Sequence, residues 1–492
     1  MRTSRAYIGL ASFAAVLTVA GCDRLLSTEP PNGMSPEVAL ATLEGLQAAT
    51  LGNYRQLLGD PVEQHSVNEF GSDEVMACCT TTSPYFNLYT YIHTTNGTWV
   101  RRVWRRAYLA IYGANQVIAV VTEGASPVRD QLLGENYFQR AYFHFYLVRL
   151  FGRPYPQGRD NLGVPIRRDD TDPDVQPERA TVGEVYDLIV ADLLKAAQLM
   201  TVSKTNPFAS KEVAYALLSR VYLYQENNAK AIEYANLVIA SNRYQMTPRA
   251  TFMTWPKRPP EQNPEIIWAA RYTIADNPVG GNPGHLYYKD AAGVGFGEVY
   301  ASLKYWNLIN QHPNDGRLAF IEPQRNASGS IIPRNGVPQL FVNKMIGQDG
   351  ITTLSSPVLL RLAEMYLNRA EANAKLGNAA AAIADVNIVR QRAGLADTAL
   401  YTATDLKGRA SVLDVVLEER FLELAWEGHR VYDLFRNGRA LFRDYPGVHR
   451  IATAPGINLA AGTQTIPANH PRVVHFIPEA EIQISPKLKQ NQ

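Results

Sequence analysis

Between Pro357 and Gly394 the chain carries two helical stripes separated by a break. Leu359, Leu362, Ala363, Tyr366 and Ala370 recur at i, i+3, i+4, i+7 and i+11, and after Leu376-Gly377-Asn378 a second stripe runs through Ala379, Ala382, Ile383, Val386 and Ala393. This spacing predicts a helical hairpin. Ala370, Ala374, Ala379 and Ala382 fall where two antiparallel helices touch, and a methyl-sized side chain there lets the helices approach closely. One hairpin cannot bury its own apolar face, so partners are required. The stretch Ser210–Ala240 has the same layout, with Ser219 as the small residue, Asn227-Asn228 as the turn and Ala231-Ile232 after it. Looser copies are read at Leu133–Gly152 and Leu413–Leu441.

The order small residue, Gly-Asn turn, Ala-Ile is similar to that of a tetratricopeptide (TPR) repeat, so the expected fold is mainly α with TPR-like hairpins. Elsewhere the pattern changes. Glu37–Gly59 is periodic through Leu40, Leu43, Leu46 and Leu57 and reads as helix. Asp60–Gly97 has turn residues, two cysteines and the rings Tyr85, Phe86, Tyr89 and Tyr91 without a sustained apolar period, which predicts a long structured loop of the kind that often carries function. Helices restart at Trp99–Val121 and Leu133–Gln157, where Tyr137, Tyr142, Phe145 and Tyr146 recur at helical spacing and read as core. Asp169–Thr181 reads as a linker, and Thr181 with Glu184 forms a capping box for a helix to Leu199. From Tyr244 to Ser355 prolines, glycines and short apolar runs such as Glu265–Ala270 predict an irregular insertion with few short strands. Its Gly293-Val-Gly-Phe-Gly297 lacks the strand-to-helix context of a nucleotide loop.

Leu413–Leu441 is amphipathic, and Glu419, Glu423 and Glu427 stack at i, i+4 and i+8, where like charges repel. They need counter-charges, for which Arg420, Arg430 and Arg436 are the nearest supply. Paired carboxylates also admit a hydrolase reading with Glu423 and Glu427; the favoured reading is a structural ion-pair network including Glu419, Arg420, Glu423, Glu427 and Arg430.

With 492 residues, 46% hydrophobic, the chain can bury a large core, and its formal charge of +2 argues against nucleic acid as a partner. The one dense basic cluster, Arg101-Arg102 with Arg105-Arg106, reads as a solvated helix face. Arg2 and Arg5 precede an apolar run from Ile8 to Ala20, too short to span a bilayer and suited to a signal h-region. Val19-Ala20-Gly21-Cys22 resembles a bacterial lipobox, which makes Cys22 the expected lipidation site and the chain anchored rather than spanning. Residues 23–36 read as a tether. Of the three cysteines, Cys78 and Cys79 remain; adjacent residues sit too close for an unstrained bridge, so they read as two thiols or one strained bridge. No metal or cofactor motif is read.

Four passages together resemble the SusD/RagB family of surface lipoproteins: the lipobox; Leu359–Ala374 with its Gly377-Asn378 turn; Glu418–Asn437; and the tail Phe476–Asn491, in which Ser485 stands where the family usually has Asn. The resemblance implies a non-enzymatic protein on the outer face of the outer membrane, capping a SusC-type TonB-dependent transporter and capturing oligosaccharides, or peptides in the RagB branch. It organises the chain as signal peptide 1–21, lipidated tether 22–36, N-terminal helical region 37–245 with the aromatic loop 60–97, loop-rich insertion 246–355, C-terminal TPR-like helices 356–445 and irregular tail 446–492.

A glycan site stacks sugar C–H faces on aromatic rings. The loop rings Tyr85, Phe86, Tyr89, Tyr91, Tyr287, Tyr288 and Trp306 are therefore the candidate ligand contacts. The rival readings are a surface hydrolase and a scaffold that binds only another protein.

Overall fold

A computed structural model describes residues 36–78, 83–168, 176–276, 281–334, 336–443 and 464–492. The signal segment, Cys22, Cys79, most of the 169–181 linker and the first part of the tail lie outside the described residues. The chain divides into two compact units, residues 1–49 and 50–492. The first contains the short helix Pro36–Ala39 and the start of Leu43–Tyr54; the second contains everything discussed below.

The described residues are mainly helical, with strands two to four residues long. Ten helices organise the second unit: α1 (Pro61–Glu69), α2 (Thr98–Val120), α3 (Pro127–Phe151), α4 (Val182–Leu199), α5 (Lys211–Tyr224), α6 (Asn228–Ala240), α7 (Leu362–Lys375), α8 (Ala379–Ala393), α9 (Val412–Glu423) and α10 (Arg430–Arg436). Each of α2 to α9 packs against the next in a continuous stack. The long helix α3 is its centre, with Phe138, Ala141, Phe145 and Leu147 fully buried and Tyr142 and Tyr146 close to it. The expected capping box starts α4: the Thr181 hydroxyl accepts from Glu184 N, and the Glu184 carboxylate accepts from Thr181 N.

The two hairpins α5–α6 and α7–α8 are built alike. In each, the turn closes with an amide bonding five residues back, Asn227 N to Tyr222 O and Asn378 N to Asn373 O, both at 2.9 Å. The residue before the turn asparagine adopts a left-handed φ, +82° at Gly377 and +60° at Glu226. Glycine adopts that conformation without Cβ strain; Glu226 occupies it at some cost. Ala370 and Ala382 are fully buried, and the Ser219 hydroxyl donates to Ala231 O at 3.0 Å across its hairpin.

Three expectations change. Leu133–Gly152 is not a hairpin but part of the single helix α3, whose partners α2 and α4 lie on other segments. Leu413–Leu441 resolves into α9 and α10, parted at Trp426, whose φ of +61° breaks the helix. Asp60–Gly97 is not a long loop: it contains α1, the strand β1 (Val75–Ala77) and a five-residue helix Phe86–Thr90. Its apolar residues point into a shared core from several short elements, so no one period emerges in the sequence.

The chain leaves the stack after α6 and returns at α7, while α6 packs directly on α7. Strand β2 (Ile266–Ala269) pairs antiparallel with β4 (Val358–Arg361), so the excursion opens and closes at one place, and Leu362 N bonds Glu265 O at 2.9 Å as α7 begins. Within the excursion, β3 (Val299–Ala301) pairs with β1, with Val75 opposite Ala301 and Ala77 opposite Val299.

The carboxylates of Glu419, Glu423 and Glu427 are all buried in an ion-pair network, but their counter-charges differ from those expected. Glu419 meets Arg317 at 2.6 Å and Arg390 at 2.9 Å. Glu423 meets Arg361 at 2.6 Å and also Arg392, and Glu427 meets Arg361 at 2.8 Å and Lys344 at 2.5 Å. Glu265 joins the same arginines, at 2.8 Å from Arg361 and 2.8 Å from Arg392. Arg420 lies one residue from Glu419, about 100° round the helix, and so faces elsewhere. It binds Asp433 at 2.7 Å, while Arg436 binds Asp433 and Glu371 and Arg430 binds Asp73. The arginines beside Glu423 and Glu427 hold both carboxyls below the usual carboxylate range against the opposing effect of burial.

A carboxyl pair of the opposite kind sits under β1. Glu69 and Glu74 are fully buried and hydrogen-bonded to each other; burial and the adjacent Glu69 charge push Glu74 well above its ordinary 4.5, so the pair holds a proton on Glu74. Glu69 also accepts from Gly428 N at 2.9 Å and Glu74 from Trp426 N at 3.2 Å, fixing the α9–α10 turn.

Replacing Arg361 by Met leaves Glu265, Glu423 and Glu427 without their shared cation and is expected to cost about 3–5 kcal/mol. The control Arg55→Met removes a pair whose arginine is 64% exposed and should stay within about 0.5 kcal/mol; urea midpoints check both. For Glu74, a raised folded-state pKa means its contribution is present at acid pH and lost as pH rises from 4.5 through the folded value. Glu74→Gln mimics the protonated form, so its stability relative to wild type should improve steadily from mildly acid to alkaline pH; a constant difference in Tm would place the proton elsewhere.

Candidate functional site

The pairing of β1 with β3 brings the end of one aromatic segment against the start of another. Cys78 N bonds Glu298 O at 2.9 Å, continuing the ladder past Ala77. The Cys78 Sγ lies 3.5 Å from the Tyr300 hydroxyl, and burial pushes its thiol up, so it is a poor nucleophile or metal ligand at neutral pH.

Beside this junction, four side chains form a connected surface patch. The Trp99 ring, half-buried at the start of α2, lies 6.0 Å from that of Tyr85. The Tyr85 hydroxyl donates to Glu298 Oε2 at 2.7 Å, and Glu298 Oε1 lies 3.5 Å from Arg334 Nη2. Arg334 Nη1 in turn donates to the carbonyls of Phe296 and Gly297, each at 3.0 Å. Phe296 is 49% exposed, with Val294 and Ile332 also exposed on the same insertion.

The local sequence explains why Phe296 is presented outward. Gly295 has φ +94°, and a Cβ there would sit 2.1 Å from Tyr288 O, so only glycine lets the loop fold back this tightly. Phe296 N then bonds His285 O at 2.6 Å, and the two rings approach to 5.8 Å. The glycine run thus serves turn geometry. An exposed ring and a half-buried one beside a half-buried Glu–Arg pair can stack on an apolar ligand face and bond hydroxyl groups around its rim.

Most of the rings singled out from sequence lie elsewhere. Tyr85, Phe86, Tyr89, Tyr91 and Tyr287 are between 0 and 8% exposed, which removes them as a stacking surface apart from the Tyr85 hydroxyl. Tyr287 bonds His65 at 2.8 Å, Tyr91 donates to Gly71 O at 2.8 Å, and the guanidinium of Arg443 covers Tyr89 at 4.3 Å. Tyr288 is half-buried against Phe341, with ring centres 5.3 Å apart, and Trp306 is half-buried on the short helix Leu303–Ile309, outside this chain of contacts. Trp99 and Phe296 were not candidates. The legible signal for Phe296 was an aromatic residue between two glycines, a position that cannot be packed from both sides.

Two larger concavities are already committed internally. A cavity of about 90 Å³ is lined by His65, Asn68, Tyr142, Tyr146, Arg220 and Glu427 among others. There Arg220 is bidentate to Glu364 at 2.6 Å, Glu427 is held by Arg361 and Lys344, and burial holds His65 neutral with a pKa of about 4. A cleft of about 210 Å³ beside α9 and α10 is rich in charge, but its Arg409, Arg439 and Arg430 pair with Glu418, Asp414 and Asp73. Glu423 and Glu427, the carboxylates of the hydrolase reading, have side chains only 1% and 3% exposed and are enclosed by cations. Among the described residues no group of three or more His, Cys, Asp or Glu side chains is placed to hold a metal ion, and no helix is long and apolar enough to cross a membrane.

Comparison with known proteins agrees along most of the chain. A family model described as "SusD family" matches residues 297–492, and a second, described as "Starch-binding associating with outer membrane", matches residues 44–223. The chain is 26% identical over 378 residues to SusD-like protein P38 of Formosa agariphila, covering 69% of this chain and 72% of that one. It is 24% identical over 468 residues to SusD-like protein P2 of the same organism, covering 86% and 88%. A crystal structure of a SusD superfamily protein from Bacteroides thetaiotaomicron superposes with a TM-score of 0.78 at 27% identity, covering 92% of this chain and all of that one. With both halves of the frame matched by models of one family and the helical stack shared with its solved members, the chain belongs to the SusD/RagB family.

Proposed function

We propose that this protein is a non-catalytic, substrate-binding surface lipoprotein, anchored through Cys22, that captures oligosaccharides and delivers them to a SusC-type TonB-dependent transporter in the outer membrane. A role in binding rests on the family; carbohydrate as the ligand class is supported by the starch-binding description of the model matched at residues 44–223. The observation that carries the reading on this chain is the patch of Trp99, Phe296, Glu298 and Arg334: one exposed and one half-buried ring beside a half-buried carboxylate–guanidinium pair, linked through Tyr85. Such a surface binds a pyranose face and its equatorial hydroxyls without any group positioned to cleave it. Capture needs little movement of the frame, because Trp99 stands on the first turn of α2 and Phe296 on the turn that leads into β3, which is paired with β1.

Titration calorimetry with oligosaccharide pools, run beside peptide pools, tests the ligand class. Phe296→Ala and Trp99→Ala should each weaken glycan binding about 5- to 10-fold, the loss expected for one stacking contact of about 1 kcal/mol. Both variants should keep the wild-type Tm to within a few degrees, because neither ring is fully enclosed. Peptide binding without glycan binding would move the protein to the RagB branch, and shortened oligosaccharides after incubation would overturn the non-catalytic reading. Cys22→Ala should shift the protein from the membrane pellet to the soluble fraction, since the acyl chains are its proposed hold on the bilayer.

A further inference from the structure

Arg149 lies near the end of α3, its guanidinium carbon 4.7 Å from the centre of the Phe145 ring and 4.6 Å from that of Tyr432. Its electrostatic neighbours are the hydroxyls of Tyr432, Tyr224 and Tyr142, and its Nε is buried without a hydrogen-bond partner among the described residues. Other buried arginines are matched: Arg140 by Asp192, Arg220 by Glu364, Arg390 by Glu419 and Arg420 by Asp433. Arg179 and Arg443 bond main-chain carbonyls instead, Arg179 to Gly163 and Phe151 and Arg443 to Ser72 and Phe70. An arginine stays protonated at any relevant pH, so a buried one with neither kind of partner is a positive charge in need of compensation.

Three further basic side chains surround the same spot. A cavity of about 30 Å³ is lined by Arg149, His93, Arg472 and His475, together with Tyr91, Tyr432 and an apolar wall that includes Leu150 and Phe435; among the described residues no carboxylate lines it. Each of the three leaves a buried nitrogen without a partner among the described residues: Nδ1 of His93, Nδ1 of His475 and Nη1 of Arg472. The two imidazoles stack with centres 4.3 Å apart, and the second Arg472 nitrogen, Nη2, is occupied by the main-chain oxygen of Gln492. Two guanidinium groups, each with an unmatched buried N–H, therefore converge from two separate segments, Arg149 from α3 and Arg472 from the tail, beside two imidazoles that burial holds neutral.

We propose that this cavity is a binding site for one small monovalent inorganic anion of chloride size. The volume sets the size: it exceeds the 10–15 Å³ or so that holds a single water and leaves no room for a hydrated tetrahedral oxyanion. The charge sets the sign, since two guanidinia line it and, among the described residues, no acid does. Arg149 Nε and Arg472 Nη1, both without a partner among the described residues, are the available donors. Bound there, the ion ties the C-terminal tail to the helical frame, a join that otherwise depends on main-chain contacts such as His475 N to Leu150 O at 2.8 Å. The site shares no residue with the Trp99–Phe296 patch, so it stands whether or not that patch binds glycans.

Crystals of the purified protein soaked in bromide, with data collected at the bromine absorption edge, should show an anomalous peak between Arg149 and His475. In solution, Tm in sodium chloride should exceed that in sodium gluconate at a matched ionic strength of about 150 mM by about 2 °C or more, because the smaller ion alone enters. The chloride-specific increment should vanish in Arg149→Gln and, should that variant not fold, in Arg472→Gln. Absence of the bromide peak, equal Tm in the two salts, or an increment that survives both substitutions would each overturn the proposal in favour of a site occupied by water.

Discussion

The structure depends on the buried column of Glu419, Glu423 and Glu427. Left alone, three carboxylates stacked on successive turns in a low-dielectric interior would repel and resist desolvation. Here they are the point where the helical stack and the long excursion between α6 and α7 are joined. Arg361, Arg390 and Arg392 reach them from the stack, and Arg317 and Lys344 from the excursion. Each cation is shared by more than one acceptor, as when Arg361 bridges Glu265, Glu423 and Glu427. Partners held this way lose little additional freedom per contact. Such a network contributes specificity of arrangement more than net stability, because desolvation consumes much of the Coulombic gain.

The surface patch follows from that join. With the excursion clamped at its base by the β2–β4 pairing and by the carboxylate column, its outer part can be irregular and still be positioned. Strand β3 reaches β1, the ladder continues to Glu298, and the glycine turn projects Phe296 next to Arg334. Rings meant to pack went inward, where Tyr287, Tyr85 and Phe70 meet edge to face at 5.4–6.1 Å; rings held by backbone geometry alone stayed out. A rigid base with ring-bearing turns suits the binding role proposed for the protein.

Charge is handled in three different ways in one interior. The carboxylate column is fully ionised and matched by cations. The Glu69–Glu74 pair instead keeps a proton, because the nearest positive groups are spent on Asp73 and Glu427. Arg149 and Arg472 are the converse, two guanidinia at a cavity that no carboxylate lines among the described residues. The difference between the first and the last is the number of opposite charges that the fold brings within reach, which residue type alone does not reveal.

The sequence by itself determined the helical hairpins, because a period of 3.6 residues, a small residue at the contact and a Gly-Asn or Asn-Asn turn are local facts that act within about thirty residues. It also determined the α4 capping box, the core role of Tyr142 and Tyr146, and the need of Glu419, Glu423 and Glu427 for counter-charges. Only the tertiary structure decided which charges answered them: Arg317 and Lys344 lie some eighty to one hundred residues away along the chain, and helix phase turns the adjacent Arg420 aside. It likewise decided which rings face solvent. In short elements of a few residues no period separates an inward aromatic from an outward one, so Tyr89 and Phe296 looked alike until the pairing of β1 with β3 buried the first region and the backbone at Gly295 turned the second outward.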